Sequence, residues 1–85
     1  MSIVLENWEN VDNNDIIAII KREKESKLYY LSIGEIYVED DCCKFRPYFN
    51  RQYLSKKSAV HAIRNYGNFK LSFVYHREGI NNEIY

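Results

Sequence analysis

The chain has 85 residues, and its twelve acidic and twelve basic residues give a formal net charge of zero. This length fits one small domain with a thin hydrophobic core. No apolar run approaches the ~20 residues of a membrane span, and no bases precede the short apolar run at residues 3–5. We therefore expect neither a membrane helix nor a signal sequence.

The zero net charge hides a strong separation of charge along the chain. Residues 1–43 hold ten acids against four bases, and residues 78–85 add two acids. The stretch 44–77 contains no acid, and aromatic residues lie between its bases. Its eight bases are Lys44, Arg46, Arg51, Lys56, Lys57, Arg64, Lys70 and Arg77. This polarity is the strongest indication of function in the sequence.

The two cysteines, Cys42 and Cys43, are adjacent. Adjacent residues of a strand point to opposite faces, so the pair forms neither a disulfide framework nor a metal chelate. We interpret them as reduced thiols of a cytoplasmic protein, with no metal or cofactor. A small domain without such a staple often gains stability by self-association, so a homodimer is expected.

The first elements are an acidic arm and a strand. Met1–Asp15 is rich in acids and Asn, and its end, Val11–Asp15, has the composition of a turn. Its apolar residues form either a short strand or a docking arm; they are Ile3, Val4, Leu5 and Trp8. Four of the first five residues of Ile16–Lys24 are isoleucine, which favours a buried strand. The alternative is a helix capped by Asp15.

The next segments predict a hairpin. Glu23–Ser26 is the expected turn, and Lys27–Ile33 has the aromatic content of a strand. Gly34 interrupts this strand with a bulge, and Glu35–Glu39 continues the strand beyond the glycine. Acidic residues 39–41 then form a solvated turn.

Cys43–Asn50 predicts a third strand. Simple alternation places two sets of side chains on opposite faces. One set is Cys43, Phe45, Pro47 and Phe49, and the other is Lys44, Arg46 and Tyr48. Pro47 removes one ladder donor, so this strand is expected at an edge or broken there.

Ser55–Tyr66 predicts the main helix. Ser55 is the N-cap, Leu54 packs onto Ala59, and Gly67 is a left-handed C-cap. The expected buried stripe is Ala59, Val60, Ile63 and Tyr66.

Phe69–Arg77 alternates as a strand, and Glu78–Tyr85 has the composition of a polar tail. The whole chain therefore predicts one α+β domain, ordered β-β-β-α-β, with one main helix packed on a face of a small antiparallel sheet.

Nucleic-acid binding is the function that the basic stretch indicates. Lys and Arg neutralise phosphates, and aromatic rings such as Tyr48 and Tyr53 stack on unpaired bases. All eight bases of the stretch are predicted RNA contacts. If the strands on either side of the helix are neighbours, one outer sheet face carries Lys44, Arg46, Tyr48, Lys70 and His76. Single-stranded or looped RNA fits such a face better than duplex DNA.

The same aromatic and basic residues also have structural explanations that do not involve RNA. Ordinary burial preference places five apolar residues in the core: Phe45, Phe49, Phe69, Leu71 and Phe73. The bases can equally form a solvated face that meets the acids of residues 1–41, within one chain or across a dimer.

Two further function classes are open. His61 and His76 can act as acid and base in a small metal-free ribonuclease, but no motif fixes their geometry, so we expect no catalysis. The acidic half can instead occupy a basic groove on another protein, as a protein-only inhibitor.

In size, residue bias and acidic-then-basic layout, the chain resembles small accessory proteins of T4-like phages that counter host defences. Among these are RNA-binding, homodimeric inhibitors of the ToxN endoribonuclease toxin. The resemblance implies an inhibitor or adaptor in the host cytoplasm that reaches a host ribonuclease toxin through RNA. It rests on no alignable motif and assigns no residues.

Overall fold

The computed structural model describes residues 2–23 and 25–74 as a five-stranded antiparallel sheet with one helix. The elements are β1 (Ser2–Asn10), β2 (Ile16–Glu23), β3 (Tyr29–Glu39), β4 (Cys42–Tyr53), α1 (Lys56–Tyr66) and β5 (Phe69–Val74). The strand order is β4-β3-β2-β1-β5. The predicted α+β class, with one helix on an antiparallel sheet, is confirmed.

Of the two alternatives for the N-terminal segment, the arm is wrong and the strand is correct, because residues 2–10 form a full strand of the sheet. β1 pairs with both β2 and β5, and Trp8 is only 6% exposed. A register shift between Val4 and Glu6 leaves Leu5 as an extra residue. Such a bulge breaks the period-two pattern that identifies strands, and this is why alternation failed to identify β1.

The predicted hairpin of β2 and β3 is confirmed, and the helical alternative for the first segment is excluded. Its turn is closed by a 3.1 Å hydrogen bond from the amide of Ser26 to the carbonyl of Glu23. The second strand begins at Tyr29 and not at Lys27. Lys24 lies outside the described residues.

The hairpin of β3 and β4 ends in a two-residue turn. Asp40 and Asp41 have φ values of 55° and 61°, as the tightest hairpin turns require. The pairing of β2 with β3 stops at Glu35, whereas β4 pairs along all of β3. Residues 36–45 therefore project past the sheet, and together with the Glu35–Arg46 pair at their base they form a two-stranded ribbon.

A bulge lies at Gly34, as predicted, but the extra residue is Tyr48 on the opposite strand. Ile33 pairs with Phe49 and Gly34 with Pro47, which leaves Tyr48 unmatched. The bulge reverses the alternation of β4, so Phe49 meets the core face while Phe45 and Pro47 meet the other face. The prediction of one shared face for these three is therefore wrong. Pro47 does lie on an edge strand, as expected.

Helix α1 has the predicted N-cap and ends at Tyr66 as predicted, but its C-cap has a different conformation. The Ser55 hydroxyl accepts a 3.1 Å hydrogen bond from the amide of Ser58, which confirms the N-cap. Gly67 has a φ of 179°, so the left-handed C-cap is wrong, although its amide does donate to the carbonyl of Ile63. Leu54 is 82% exposed and does not pack onto Ala59.

The core lies between α1 and one face of β1, β2, β3 and β5. Its buried members are Trp8, Ala18, Ile20, Leu31, Ile33, Ala59, Ile63 and Phe69. Phe49 and Val60 pack against this cluster while partly exposed, and Tyr66 is 47% exposed. Tyr66 therefore belongs to the rim of the core, not to the predicted buried stripe.

Three predicted core residues are wrong, since Phe45 lies on the other face of the sheet and two residues of β5 are exposed. Leu71 and Phe73 are 44% and 50% exposed. Helix α1 contacts β2, β3 and β4, so the edge strand β5 reaches beyond its cover. Residues 75–85, which include the end of the predicted last strand and the predicted tail, lie outside the described residues. Within the described part of the chain, no helix has the length and apolarity to cross a membrane.

We predict that Gly34→Ala destabilises the fold. An added Cβ would overlap the carbonyl oxygen of Arg46 and lie 2.7 Å from the Cα of Pro47. Both are backbone atoms that cannot rotate away, so we expect a loss of about 1–3 kcal/mol in the free energy of unfolding. Urea unfolding measures it.

Gly67→Ala is the matched control. There the added Cβ meets side-chain atoms of Phe69 and Asn10 at 3.2 and 3.3 Å, and the extended backbone suits any residue. We expect a smaller change, because side chains can shift. Equal losses in the two variants would contradict the close strand approach at Gly34.

Candidate nucleic-acid interface

The eight predicted RNA contacts do not form one surface. β4 and β5 lie at opposite edges of the sheet, so the condition for a shared basic face, that these strands are neighbours, is not met. Lys44 pairs with Tyr37 across the strands, on the helix side, whereas Lys70 pairs with Glu9 on the other face. The expected shared face of these bases is therefore not formed.

Two of the bases are held by acids of the projecting ribbon. The Lys44 Nζ lies 2.9 Å from Glu39 Oε1, and the Arg46 Nη1 lies 3.5 Å from Glu35 Oε1. The Arg46 guanidinium also stacks 4.3 Å from the ring centroid of Tyr37. These exposed pairs contribute little stability, but they neutralise both cations locally.

Tyr48, a predicted stacking residue, is engaged in the same group. Its hydroxyl donates a 2.7 Å hydrogen bond to Glu35. This hydrogen bond, with a little burial and the charge of the Glu35 carboxylate, raises the pKa of Tyr48 above 10.0. The ring remains 51% exposed, but the hydroxyl ties it to the ribbon.

Lys56 is bound to the one buried acid among the described residues, Glu6, which is 7% exposed. Glu6 Oε2 lies 3.2 Å from Lys56 Nζ, and Glu6 Oε1 accepts a 2.9 Å hydrogen bond from the indole of Trp8. The carboxylate thus satisfies both a buried N–H group and a cation. Lys56 connects the start of α1 to β1, which is a structural task.

Three polar residues share the solvent side of α1. Lys57, His61 and Arg64 are spaced i, i+4 and i+7, so they form one stripe along the helix. All three are exposed, and no acid occurs in α1. The Arg64 guanidinium lies 5.2 Å from the ring of Trp8, a contact that leaves its charge available. We call these residues the helix stripe.

A groove of about 490 Å³ runs between the helix and the end of β4. It is lined by Tyr53, Lys57, Ser58, His61, Ala62 and Asn65. Tyr53 packs against the core, and the guanidinium of Arg51 lies 5.9 Å from its ring centroid. The second predicted stacking residue is therefore half-buried, with a cation beside it.

The uncovered face of the sheet carries polar pairs beside exposed apolar side chains such as Val38 and Phe73. Ser32 donates a 2.7 Å hydrogen bond to Asn50, and Asn7 donates one of the same length to Ser72. A broad depression of about 830 Å³ lies on this sheet near Lys21 and Tyr30. Arg51 is the one predicted RNA contact among its described lining residues. The other predicted contacts that the structure describes lie on other surfaces.

The acids of the chain turns lie at one end of the molecule. Asp12 and Asp15 follow β1, and the amide of Ile36 at the base of the ribbon bonds to the carbonyl of Asp15. Asp40 and Asp41 form the ribbon tip that extends from this same end. Among the described residues, none of these turn acids forms an ion pair with the helix stripe.

The residues considered for catalysis are not assembled by the described structure. His61 is exposed on α1, and His76 and Arg77 lie outside the described residues. No group of three metal-ligating side chains occurs within 2–23 and 25–74. Both cysteines are free and exposed.

Sequence reasoning missed Asn65. Ser58, Ala62 and Asn65 are spaced i, i+4 and i+7 and form the helix face turned towards β4. That spacing is visible in the sequence, but the partner strand is not.

Comparison with protein-family models, with curated proteins and with solved structures finds no match to this chain.

We predict that Tyr48 ionises above the ordinary tyrosine pKa, and that Glu35→Gln lowers its pKa by removing the carboxylate charge. Folding raises the pKa of Tyr48, so the Tyr48–Glu35 hydrogen bond stabilises the folded state below pH 10. This stabilisation is lost as the pH rises through the raised pKa. The measurement is a spectrophotometric phenolate titration, with Tyr48→Phe identifying the signal. Glu39→Gln is the control, since Glu39 binds Lys44, and it leaves the Tyr48 pKa unchanged.

Proposed function

We propose that this chain is a small RNA-binding protein that acts as an inhibitor or adaptor and not as a catalyst. The observation that carries the proposal is the helix stripe, Lys57, His61 and Arg64, on a helix without an acid. A polyanion attracted there meets no carboxylate on the same element. Arg51 beside the groove adds a fourth polar contact on that side.

The proposed RNA-binding site does not include all eight bases predicted from the sequence. Lys44, Arg46 and Lys56 each lie within 4 Å of a carboxylate. A phosphate must compete with these carboxylates, so the paired bases gain less from binding. Lys70 lies on the other face and edge of the sheet. The proposed RNA contacts are therefore Arg51, Lys57, His61 and Arg64.

The biological setting follows the resemblance stated above. An inhibitor of this kind acts in the host cytoplasm, where bound RNA brings it to a ribonuclease toxin and blocks the toxin–RNA complex. The small size and the separate acidic and basic regions support this adaptor role, since one side can hold RNA while the other meets a protein.

We predict that the double variant Lys57→Glu/Arg64→Glu weakens binding of a fluorescein-labelled, mixed-sequence single-stranded RNA by at least about tenfold. Each lost phosphate contact also reduces the slope of log K against log salt by about one. Fluorescence anisotropy titrations at several salt concentrations measure both, and circular dichroism checks the fold. The same incubations leave the RNA uncut if the protein is not a ribonuclease.

Two single variants form the matched comparison. Lys57→Glu and Lys44→Glu change the charge equally, but Lys44 is already paired with Glu39. We expect Lys57→Glu to weaken binding several-fold more than Lys44→Glu. Equal effects would mean that net charge alone governs binding, and unchanged affinity in the double variant would remove the helix stripe as the site.

A protein-only inhibitor is the second candidate. The turn acids Asp12, Asp15, Asp40 and Asp41 project at one end and can enter a basic groove of a host enzyme. Such an inhibitor keeps its target after nuclease treatment of a lysate, whereas an RNA-dependent adaptor releases it. Purification with and without nuclease separates the two.

We also propose a homodimer. The support is the sheet face opposite α1, where Val38 and Phe73 are 72% and 50% exposed. Pairing of two copies would cover such apolar side chains. Sedimentation equilibrium is predicted to give twice the chain mass of 10.2 kDa. A single-chain mass at all concentrations would contradict the dimer.

A further inference from the structure

We infer that the groove between α1 and β4 binds one unpaired nucleobase of a single-stranded RNA. The groove holds about 490 Å³, which lies within the range of small-ligand sites. It opens directly beside the helix stripe, since Lys57 and His61 belong to both. The inference rests on the proposed RNA-binding function and adds the part of the RNA that the groove recognises.

The groove has an apolar wall that suits the flat face of a base and polar side chains that suit its edge. Tyr53 and Ala62 supply apolar area, and Tyr53 is fixed by its packing against the core. A ring held in this way provides a wall for a base without first losing much conformational freedom. The remaining lining is polar, as the edge of a base requires.

Asn65 is the residue that can recognise the base edge. Its side chain is exposed and makes no hydrogen bond with any residue that the structure describes. A carboxamide offers a donor and an acceptor side by side, the pattern that complements adjacent groups on a base. The Ser58 hydroxyl, already bonded to Ser55 at 3.0 Å, keeps further capacity at the same wall.

The charges around the groove favour a nucleotide over a neutral aromatic ligand. Lys57 lies in the lining, and Arg51 lies 5.9 Å from the Tyr53 ring. None of the described residues that line the groove is an acid. The phosphates on either side of an inserted base would therefore meet cations, and the base itself would meet Tyr53 and Asn65.

The test separates base recognition from phosphate attraction. Asn65→Ala removes the edge contact, and Ala62→Met fills the groove with a residue that suits a helix. The probes are the fluorescein-labelled single-stranded RNA and inorganic polyphosphate, which has charge but no bases. Polyphosphate affinity is measured by competition against the labelled RNA, and circular dichroism melting reports the fold of each variant.

We expect Asn65→Ala and Ala62→Met each to weaken RNA binding about fivefold to tenfold. Polyphosphate binding should stay within about twofold of the original chain, because its contacts are electrostatic. Lys57→Glu, in contrast, weakens the binding of both probes. This difference between the variants is the signature of a base in the groove.

Three results overturn the inference in different ways. If the original chain binds RNA and both groove variants bind it equally well, the base site is wrong while RNA binding stands. If the original chain binds no RNA, the proposed function and the base site fail together. Equal losses for RNA and polyphosphate in a folded Asn65→Ala variant also exclude base recognition.

Discussion

The packing of one helix onto one face of the sheet is the constraint on which the rest of the structure depends. Ala59 and Ile63 are fully buried over a floor that includes Ile20, Leu31 and Ile33. An eleven-residue helix is about 16 Å long and cannot cover five strands. The edge strand β5 and the ribbon are consequently left exposed.

This limited cover decides which charged residues remain available for a partner. The short helix turns one side to the core and the other to solvent, so its bases at positions 57 and 64 stay free of acids. The ribbon has no helix above it, and its bases are matched by acids of the facing strand. The bases that the sequence separates from the acids therefore remain free of acids only on the helix.

The sequence predicted what depends on short-range chemistry. Isoleucine-rich β2, the hairpin to β3 and the Ser55 N-cap were predicted correctly because local preference decides each of them. The failures have two causes. Bulges at Leu5, Tyr48 and Ser72 shift the alternation, and strand order depends on long-range packing that no local pattern reports. The predicted common basic face failed for the second reason, and the groove beside Asn65 could not be found without knowing which strand lies opposite.

The position of β1 between β2 and β5 has a consequence for synthesis of the chain. Asn7 and its partner Ser72 are 65 positions apart, so four strands and the helix are made before the outer edge of β1 is paired. Until then a nascent sheet presents open backbone groups to neighbouring polypeptides. Glu9 lies along that unpaired margin, where like charges on two nascent chains repel one another.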